Sequence, residues 1–95
     1  MTKSDIINEI HENTGIERVA VQVIIEEMMQ TIKSNMTSGE NVYLRGFGTF
    51  FIKKRNTKIG RNITKNTALV VPEHNIPAFK PCKEFKEKVK DTKIA

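Results

Sequence analysis

The fold of this chain is decided by residues 41–72, which read NVYLRGFGTFFIKKRNTKIGRNITKNTALVVP. Residues 42–44, 50–52 and 68–71 are rich in β-branched and aromatic side chains, which favour strands. Between the last two segments, residues 60–66 are polar and contain one glycine and two asparagines, a composition typical of a turn. We therefore predict a long β-hairpin with its tip at residues 60–66.

The predicted hairpin is strongly basic. Residues 41–72 contain seven Lys or Arg and no Asp or Glu, a net +7. Residues 1–40 carry three basic and seven acidic side chains, a net −4, and residues 73–95 carry six and four, a net +2, which together give the chain its +5. A ribbon of this charge cannot be buried in a core, so the segregation predicts a site for a polyanion. The alternative, a solvated edge that discourages aggregation, explains a few lysines but hardly seven cations without an acid.

The glycines near the start of the hairpin predict an irregular strand. Gly46 and Gly48 flank Phe47, and Phe47 and Phe50 differ in strand parity. Both rings can face the core only if the strand bulges or bends at these glycines. We expect a hinge there, between a packed sheet and the free ribbon.

Two helices are predicted before the hairpin. Thr2 or Ser4 can cap the first, which Gly15 ends, and the second runs from near Glu17 to Thr37. The apolar side chains of the second helix form a stripe roughly 140° wide, typical of an amphipathic core helix. They are Val21, Ile24, Ile25, Met28, Met29, Ile32 and Met36.

The C-terminal part is expected to return to the core. Pro72 and Pro77 should end strand structure, and a short helix should follow over residues 83–90. We predict one domain over residues 1–95, with a helical dimerisation base (1–40), a sheet with a ribbon arm (41–76) and a C-terminal strand and helix (77–95). Because much of a 95-residue chain lies in the ribbon, the core is small and a dimer is expected.

Several function classes are poorly supported by the sequence. His11, His74 and Cys82 are scattered, and nothing places them as a nucleophile–base pair or as zinc ligands, so we expect neither an enzyme nor a metal or cofactor site. A helix-turn-helix reader is disfavoured because Glu26 and Glu27 make the second helix acidic on its outer side. The lone cysteine fits a reducing compartment, and no apolar segment is long enough for a signal peptide or a membrane span, so a cytoplasmic protein is expected.

Three motifs, in the correct order and spacing, resemble one family. Gly46-Phe47-Gly48-Thr49-Phe50, Gly60-Arg61-Asn62 and Pro77-Ala78-Phe79-Lys80-Pro81 resemble the HU and integration host factor family of bacterial DNA-bending proteins. The resemblance covers nearly the whole chain. It implies an α+β fold: an intertwined homodimer with an N-terminal helix pair, a three-stranded sheet saddle, long β-ribbon arms that enter the minor groove of DNA, and a short C-terminal helix.

The resemblance also implies which residues act. Arg45, on the saddle, looks like an arginine of integration host factor β-subunits, and the Phe side chains match the family's core aromatics. The expected DNA-binding residues are Lys3, Arg45, Lys53, Lys54, Arg55, Lys58, Arg61, Asn62, Ile63, Lys65, Lys80, Lys83 and Lys86. The expected dimer core is Ile25, Met28, Met29, Ile32, Phe47, Phe50 and Phe79.

Two positions depart from the family pattern. The family usually has a proline after Arg-Asn at the arm tip, where it wedges between base pairs, and this chain has Ile63. We hypothesise that Ile63 keeps the wedge role, because an apolar side chain can still unstack a base step. Cys82 stands where glycine is usual, as a redox-reactive thiol or as a residue without a role.

The expected function is a nucleoid-associated protein that binds double-stranded DNA with modest sequence preference and bends or compacts it. One alternative is a site-specific bender of the integration host factor type, to which Arg45 points. The other is an RNA-binding module that uses the same basic ribbon, with Tyr43 and Phe51 as its candidate stacking aromatics. A heterodimer with a related chain remains an alternative to the homodimer.

Overall fold

The computed structural model describes residues 1–62 and 67–94, with side chains for 1–60 and 69–94. It contains two compact units, Met1–Asn35 and Met36–Ala95. The elements, in chain order, are α1 (Lys3–Thr14), α2 (Arg18–Thr37), β1 (Val42–Leu44), β2 (Gly48–Arg55), β3 (Lys58–Asn62), β4 (Thr67–Val71), β5 (His74–Pro81) and α3 (Lys83–Lys90). The fold is α+β, as predicted.

Local signals set the ends of α1. Thr2 is the N-cap: its hydroxyl accepts a hydrogen bond from the Asp5 amide, and the Asp5 carboxylate accepts one from the Thr2 amide at 2.9 Å. This reciprocal pair satisfies two amides that have no partner inside the helix. Gly15 ends the helix with φ 75°, and its amide donates to the His11 carbonyl at 2.9 Å. The predicted caps at Thr2 and Gly15 are confirmed.

The first unit has a very small core. Ile7 and Val21 are buried, with exposed fractions of 2% and 3%. Arg18 joins the two helices, since its Nε donates to Asn8 Oδ1 at 2.6 Å and its Nη2 to Ser4 Oγ at 3.2 Å. The apolar stripe of α2 beyond Val21 remains largely uncovered: Ile25, Ile32 and Met36 are half-buried, and Ile24, Met28 and Met29 are exposed.

The second unit contains a three-stranded antiparallel sheet in the order β1-β2-β5. A three-residue loop, 45–47, joins β1 to β2, with Leu44 opposite Gly48 and the Phe47 amide donating to the Leu44 carbonyl at 2.9 Å. Gly46 has φ 84°, which side chains rarely tolerate. The predicted bulge or hinge at these glycines is therefore wrong: Phe47 lies in a hairpin loop, so its parity relative to Phe50 places no demand on the strand.

Four phenylalanines pack together at this end of the sheet. The ring centroids of Phe50 and Phe79, which are cross-strand partners, are 4.8 Å apart. Phe47 reaches Phe79 at 5.1 Å and Phe85 of α3 at 5.4 Å. The three phenylalanines expected in the dimer core thus meet within one chain, where α3 adds a fourth. Rings at these separations attract one another beyond their buried area.

The two-stranded ribbon formed by β3 and β4 follows the three-stranded sheet after one interruption. The β2–β5 ladder ends where Arg55 faces His74, and the β3–β4 ladder begins where Lys58 faces Val71. Residues 56–57 and 72–73 lie between them, and Pro72 has no amide hydrogen to donate to a ladder. The Glu73 amide instead donates to the Thr57 hydroxyl at 3.2 Å. The discontinuity between sheet and ribbon is here, ten residues beyond the predicted hinge.

Two further strand predictions are corrected by the pairing. Gly60, predicted in the turn, lies within β3 opposite Leu69. Pro77, predicted to end a strand, lies within β5 opposite Ile52. Since β5 is at the edge of the sheet, a proline there does not need to interrupt the ladder.

No helix within residues 1–62 and 67–94 is long and apolar enough to cross a membrane.

Candidate nucleic-acid interface

The register of β2 and β5 sorts the cations between the two sides of the sheet. Thr49, Phe51, Lys53 and Arg55 alternate with Phe50, Ile52 and Lys54, and their partners on β5 alternate in step. One side therefore carries the Phe50–Phe79 pair. The other, which we call the basic face, carries Lys53, Arg55, His74 and Lys80.

The cations of the basic face are available to an external anion. Lys53, Arg55 and Lys80 are exposed, and none of them has an acidic partner among the described side chains. Exposed cations attract phosphates from solution, and each neutralised phosphate releases condensed counterions from the nucleic acid. The arrangement suits a polyanion that lies along the sheet and continues onto the ribbon, where Lys58 is also exposed.

A second group of cations lies where the β1–β2 loop meets the start of α3. Arg45, Lys80 and Lys83 line a shallow depression of about 460 Å³ together with Tyr43 and Thr49. The loop presents Arg45 because Gly46 turns the chain directly after it, and Lys83 is the first residue of α3. Lys86, one turn further along α3, is exposed as well.

Two of the predicted contacts already have acidic partners. Lys54 Nζ lies 3.3 Å from Glu73 Oε2, and Lys3 Nζ lies 3.1 Å from Glu26 Oε1. The hydrogen bond from Lys3, with a second from Gln22, lowers the pKa of the Glu26 carboxyl. Glu73 directly follows the acid-free stretch 41–72. The acidic partner of Lys54 therefore lies one residue outside the segment whose charge predicts the polyanion site.

Some predicted residues fall outside what the structure describes. Ile63 and Lys65 belong to residues 63–66, which are not described. Arg61 and Asn62 are described only as backbone of β3. Their proposed DNA contacts, including the wedge, stay predictions.

The structure adds two residues to the basic face that the sequence did not single out as DNA contacts. His74 is exposed opposite Arg55, and its Nδ1 lies 2.9 Å from the Pro72 carbonyl oxygen. Tyr43 is 74% exposed and lies opposite Thr49, on the same side. Both assignments require the cross-strand register, which no local sequence pattern contains.

No group of three or more metal-ligating side chains occurs among the residues that the structure describes. Cys82 is a free, half-buried thiol at the N-cap of α3, where its side chain makes no capping hydrogen bond and its amide donates to the Phe47 carbonyl at 2.9 Å. This position therefore ties α3 to the β1–β2 loop through its backbone.

Comparisons with known proteins agree with this geometry. The model of the family described as "Bacterial DNA-binding protein" matches residues 1–90. DNA-binding protein HU of Thermotoga maritima is 34% identical over 95% of this chain and 100% of its own length. Integration host factor subunit alpha of Actinobacillus pleuropneumoniae is 27% identical over 99% of this chain and 96% of its own.

Among solved structures, the Anabaena HU–DNA cocrystal structure matches with a TM-score of 0.89 and 29% identity, covering 97% of this chain and 100% of that one. A V42I mutant of HU from Thermotoga maritima matches with a TM-score of 0.72 and 28% identity, covering 94% and 99%.

Proposed function

Because the chain belongs to the family of bacterial DNA-binding proteins that contains HU and integration host factor, we propose that it is an architectural protein that binds and bends double-stranded DNA. The observation that carries the proposal is the basic face, whose exposed Lys53, Arg55 and Lys80 continue towards the ribbon without a described acidic partner. Its place in the cell would be the nucleoid in the cytoplasm.

The proposed mechanism has three parts. The unpaired cations of the sheet, the β1–β2 loop and α3 contact phosphates and fix the position of the duplex. The ribbon formed by β3 and β4 enters the minor groove, and Ile63 at its tip partly unstacks a base step. Minor-groove readout is degenerate, so sequence preference would come mainly from how easily the DNA deforms.

A homodimer is part of this proposal. Met28, Met29 and Ile24 of α2 are 43%, 43% and 59% exposed in the single chain, on the stripe whose periodicity is that of a core helix. An uncovered apolar stripe of this kind needs a partner, and a second copy would cover it and give the complex two basic faces and two ribbons. A related chain in place of the second copy would do the same.

Bending of a short duplex with a fluorophore at each end tests the proposal. We expect energy transfer to rise as protein is added, and the affinity to fall steeply with salt. Replacing both Lys53 and Arg55 with Ala should flatten the log–log salt dependence by about 0.9 for each phosphate that the variant no longer neutralises. Lys88→Ala, which removes an exposed α3 cation that lies 3.1 Å from Glu84 and is not among the proposed contacts, is the control and should leave the slope nearly unchanged. Binding without any rise in energy transfer would contradict the bending role.

The proposed wedge has its own variant in the same assay. Ile63→Ser should reduce the energy transfer at saturation, because a small polar side chain cannot replace the stacking contacts of an opened base step. Full bending by this variant would remove Ile63 from the mechanism while leaving the phosphate contacts intact.

RNA binding is a second candidate, and Tyr43 is the observation that favours it. An exposed aromatic ring beside Arg45 and Lys80 suits stacking on unpaired bases. Competition between duplex DNA and structured RNA for the labelled protein distinguishes the two. Selection from random duplexes separately tests the site-specific alternative, which predicts one enriched sequence rather than a broad set of flexible ones.

A further inference from the structure

His74 belongs to the basic face but has no role in the mechanism proposed above. It begins β5 at the end of the sheet, directly opposite Arg55, and is exposed. Together with Arg55, Lys58 and Asn56 it lines a depression of about 270 Å³ where the sheet meets the ribbon. The basic side chains of Arg55, Lys58 and His74 can donate hydrogen bonds to an anion bound in this depression.

The hydrogen bond of His74 fixes its tautomer. Its Nδ1 lies 2.9 Å from the Pro72 carbonyl oxygen. A carbonyl oxygen can only accept, so Nδ1 carries the proton and donates. In the neutral ring Nε2 then has no hydrogen and can only accept. A phosphate oxygen is also an acceptor, so neutral His74 cannot bond it through Nε2, whereas the imidazolium can, because both of its nitrogens donate.

The charges around His74 favour this coupling. Arg55 faces it from β2, Lys53 lies two residues further along the same side of that strand, and Lys58 of β3 lines the same depression. Glu73, the acid next to it in sequence, is 3.3 Å from Lys54. A phosphate in the depression would therefore lie among three cations and beside the imidazole.

We propose that His74 is a further phosphate contact that requires the charged imidazole, so that DNA binding through it takes up a proton wherever the ring of the free protein is neutral. The inference rests on the proposed DNA-binding function and adds a pH dependence to it. Affinity is then highest where the imidazole is charged and falls as the pH rises through the range in which histidine titrates.

The test measures the dissociation constant for a short duplex at about pH 5.5 and about pH 7.5, the range in which histidine alone among ordinary side chains changes charge. We expect tighter binding by the wild type at the lower pH, by up to about tenfold per pH unit for each proton taken up. The log–log salt dependence should also be steeper there, by about 0.9 per phosphate contacted. Calorimetry in two buffers of different ionisation enthalpy should show proton uptake.

The chain offers a matched control. His11 is its other histidine, and its Nδ1 likewise lies near a carbonyl, that of Ile16, at 2.6 Å. His11→Gln should keep the pH dependence of the wild type. His74→Gln should bind equally at both pH values, and His74→Lys, which places a permanent cation there, should bind tightly at both. A circular dichroism melt of each variant establishes that it is folded.

Three results would overturn the proposal. If His74→Gln keeps the pH dependence of the wild type, or if no proton uptake is detected, His74 is not a proton-linked contact, although the protein remains a DNA binder. If the wild type binds no duplex at either pH, the proposed function falls, and this inference falls with it.

Discussion

Gly48 is a position where one added methyl group should disturb both the stability of the second unit and its cation-bearing elements. A Cβ built on Gly48 would lie 2.5 Å from Phe79 Cζ and 2.6 Å from the Lys80 carbonyl oxygen. Real Cβ atoms essentially never approach other atoms this closely, and the second of these neighbours is backbone. Gly48→Ala must therefore displace Phe79 from its packing with Phe47 and Phe50, or separate β2 from β5.

The size of the effect follows from overpacking. An extra carbon forced into a packed site typically costs about 1–3 kcal/mol, occasionally more. For a domain of this length, a loss of 1 kcal/mol lowers the melting temperature by about 4–8 °C. We expect Gly48→Ala to melt about 4–24 °C below the wild type. DNA affinity should fall as well, because a displacement of Phe79 would also displace Lys80, the next residue of β5 and a proposed phosphate contact.

Gly60 is the matched control for this substitution. It lies within β3, where no atom of the described residues is within 4 Å of an added Cβ, and its φ is not positive. Gly60→Ala should leave stability unchanged or raise it slightly, since alanine has less freedom to lose on folding. Thermal melts at equal protein concentration compare the two variants. If Gly48→Ala melts with the wild type, or if both variants lose stability equally, the close packing of Phe79 on Gly48 is not what stabilises this end of the sheet.

Three further experiments test other contacts. Met28→Glu should shift the protein from dimer to monomer in sedimentation, because it places a charge on the uncovered apolar stripe. Gln30→Glu is the control and should leave the dimer intact. Equal fractions of dimer in both variants would exclude this stripe as the interface. Glu73→Gln and Lys54→Met, alone and combined, should give a coupling free energy of about 0.2–1 kcal/mol in chemical denaturation, as for other exposed pairs; zero coupling would mean that the pair does not stabilise the fold. The hydrogen bonds from Thr2 lower the pKa of the Asp5 carboxyl from its ordinary 3.8, so their stabilisation is present above that pH and lost as the pH falls through and below it. Asp5→Asn should therefore lower the melting temperature at neutral pH but much less at about pH 3, and an equal loss at both would contradict the charge-based account.

Helix boundaries could be predicted because their signals are local. Thr2 and Gly15 each act through the backbone of their own turn at the ends of α1. The ends of α1 and α2 lie within one residue of the predicted positions. Glycines within the β-rich region were harder to assign. Gly46 turns a hairpin loop with a positive φ, whereas Gly60 lies in a strand with ordinary φ, and the composition around each suggested the opposite.

Membership of the interface was only partly readable from the sequence. The family resemblance supplied Lys80, and charge counting found Lys53 and Arg55, because segregation of charge is a property of composition. It could not find that Glu73 pairs with Lys54, or that His74 faces Arg55, since both depend on which residues of two distant strands lie opposite each other. The register depends on the pairing of whole strands, and it is fixed only when the sheet forms.

The interruption contains two residues on each strand, 56–57 and 72–73, so both ladders keep the same pairing register. Arg55 faces His74, and Lys58, three residues after Arg55, faces Val71, three residues before His74. Deleting a single residue from either strand would move every side chain beyond it to the other side of the ribbon. Matched deletions of two residues from each strand would shorten the ribbon and keep its sides. Ribbon length should therefore vary between natural relatives in balanced steps, so that arms of different reach present the same chemical surface to the groove.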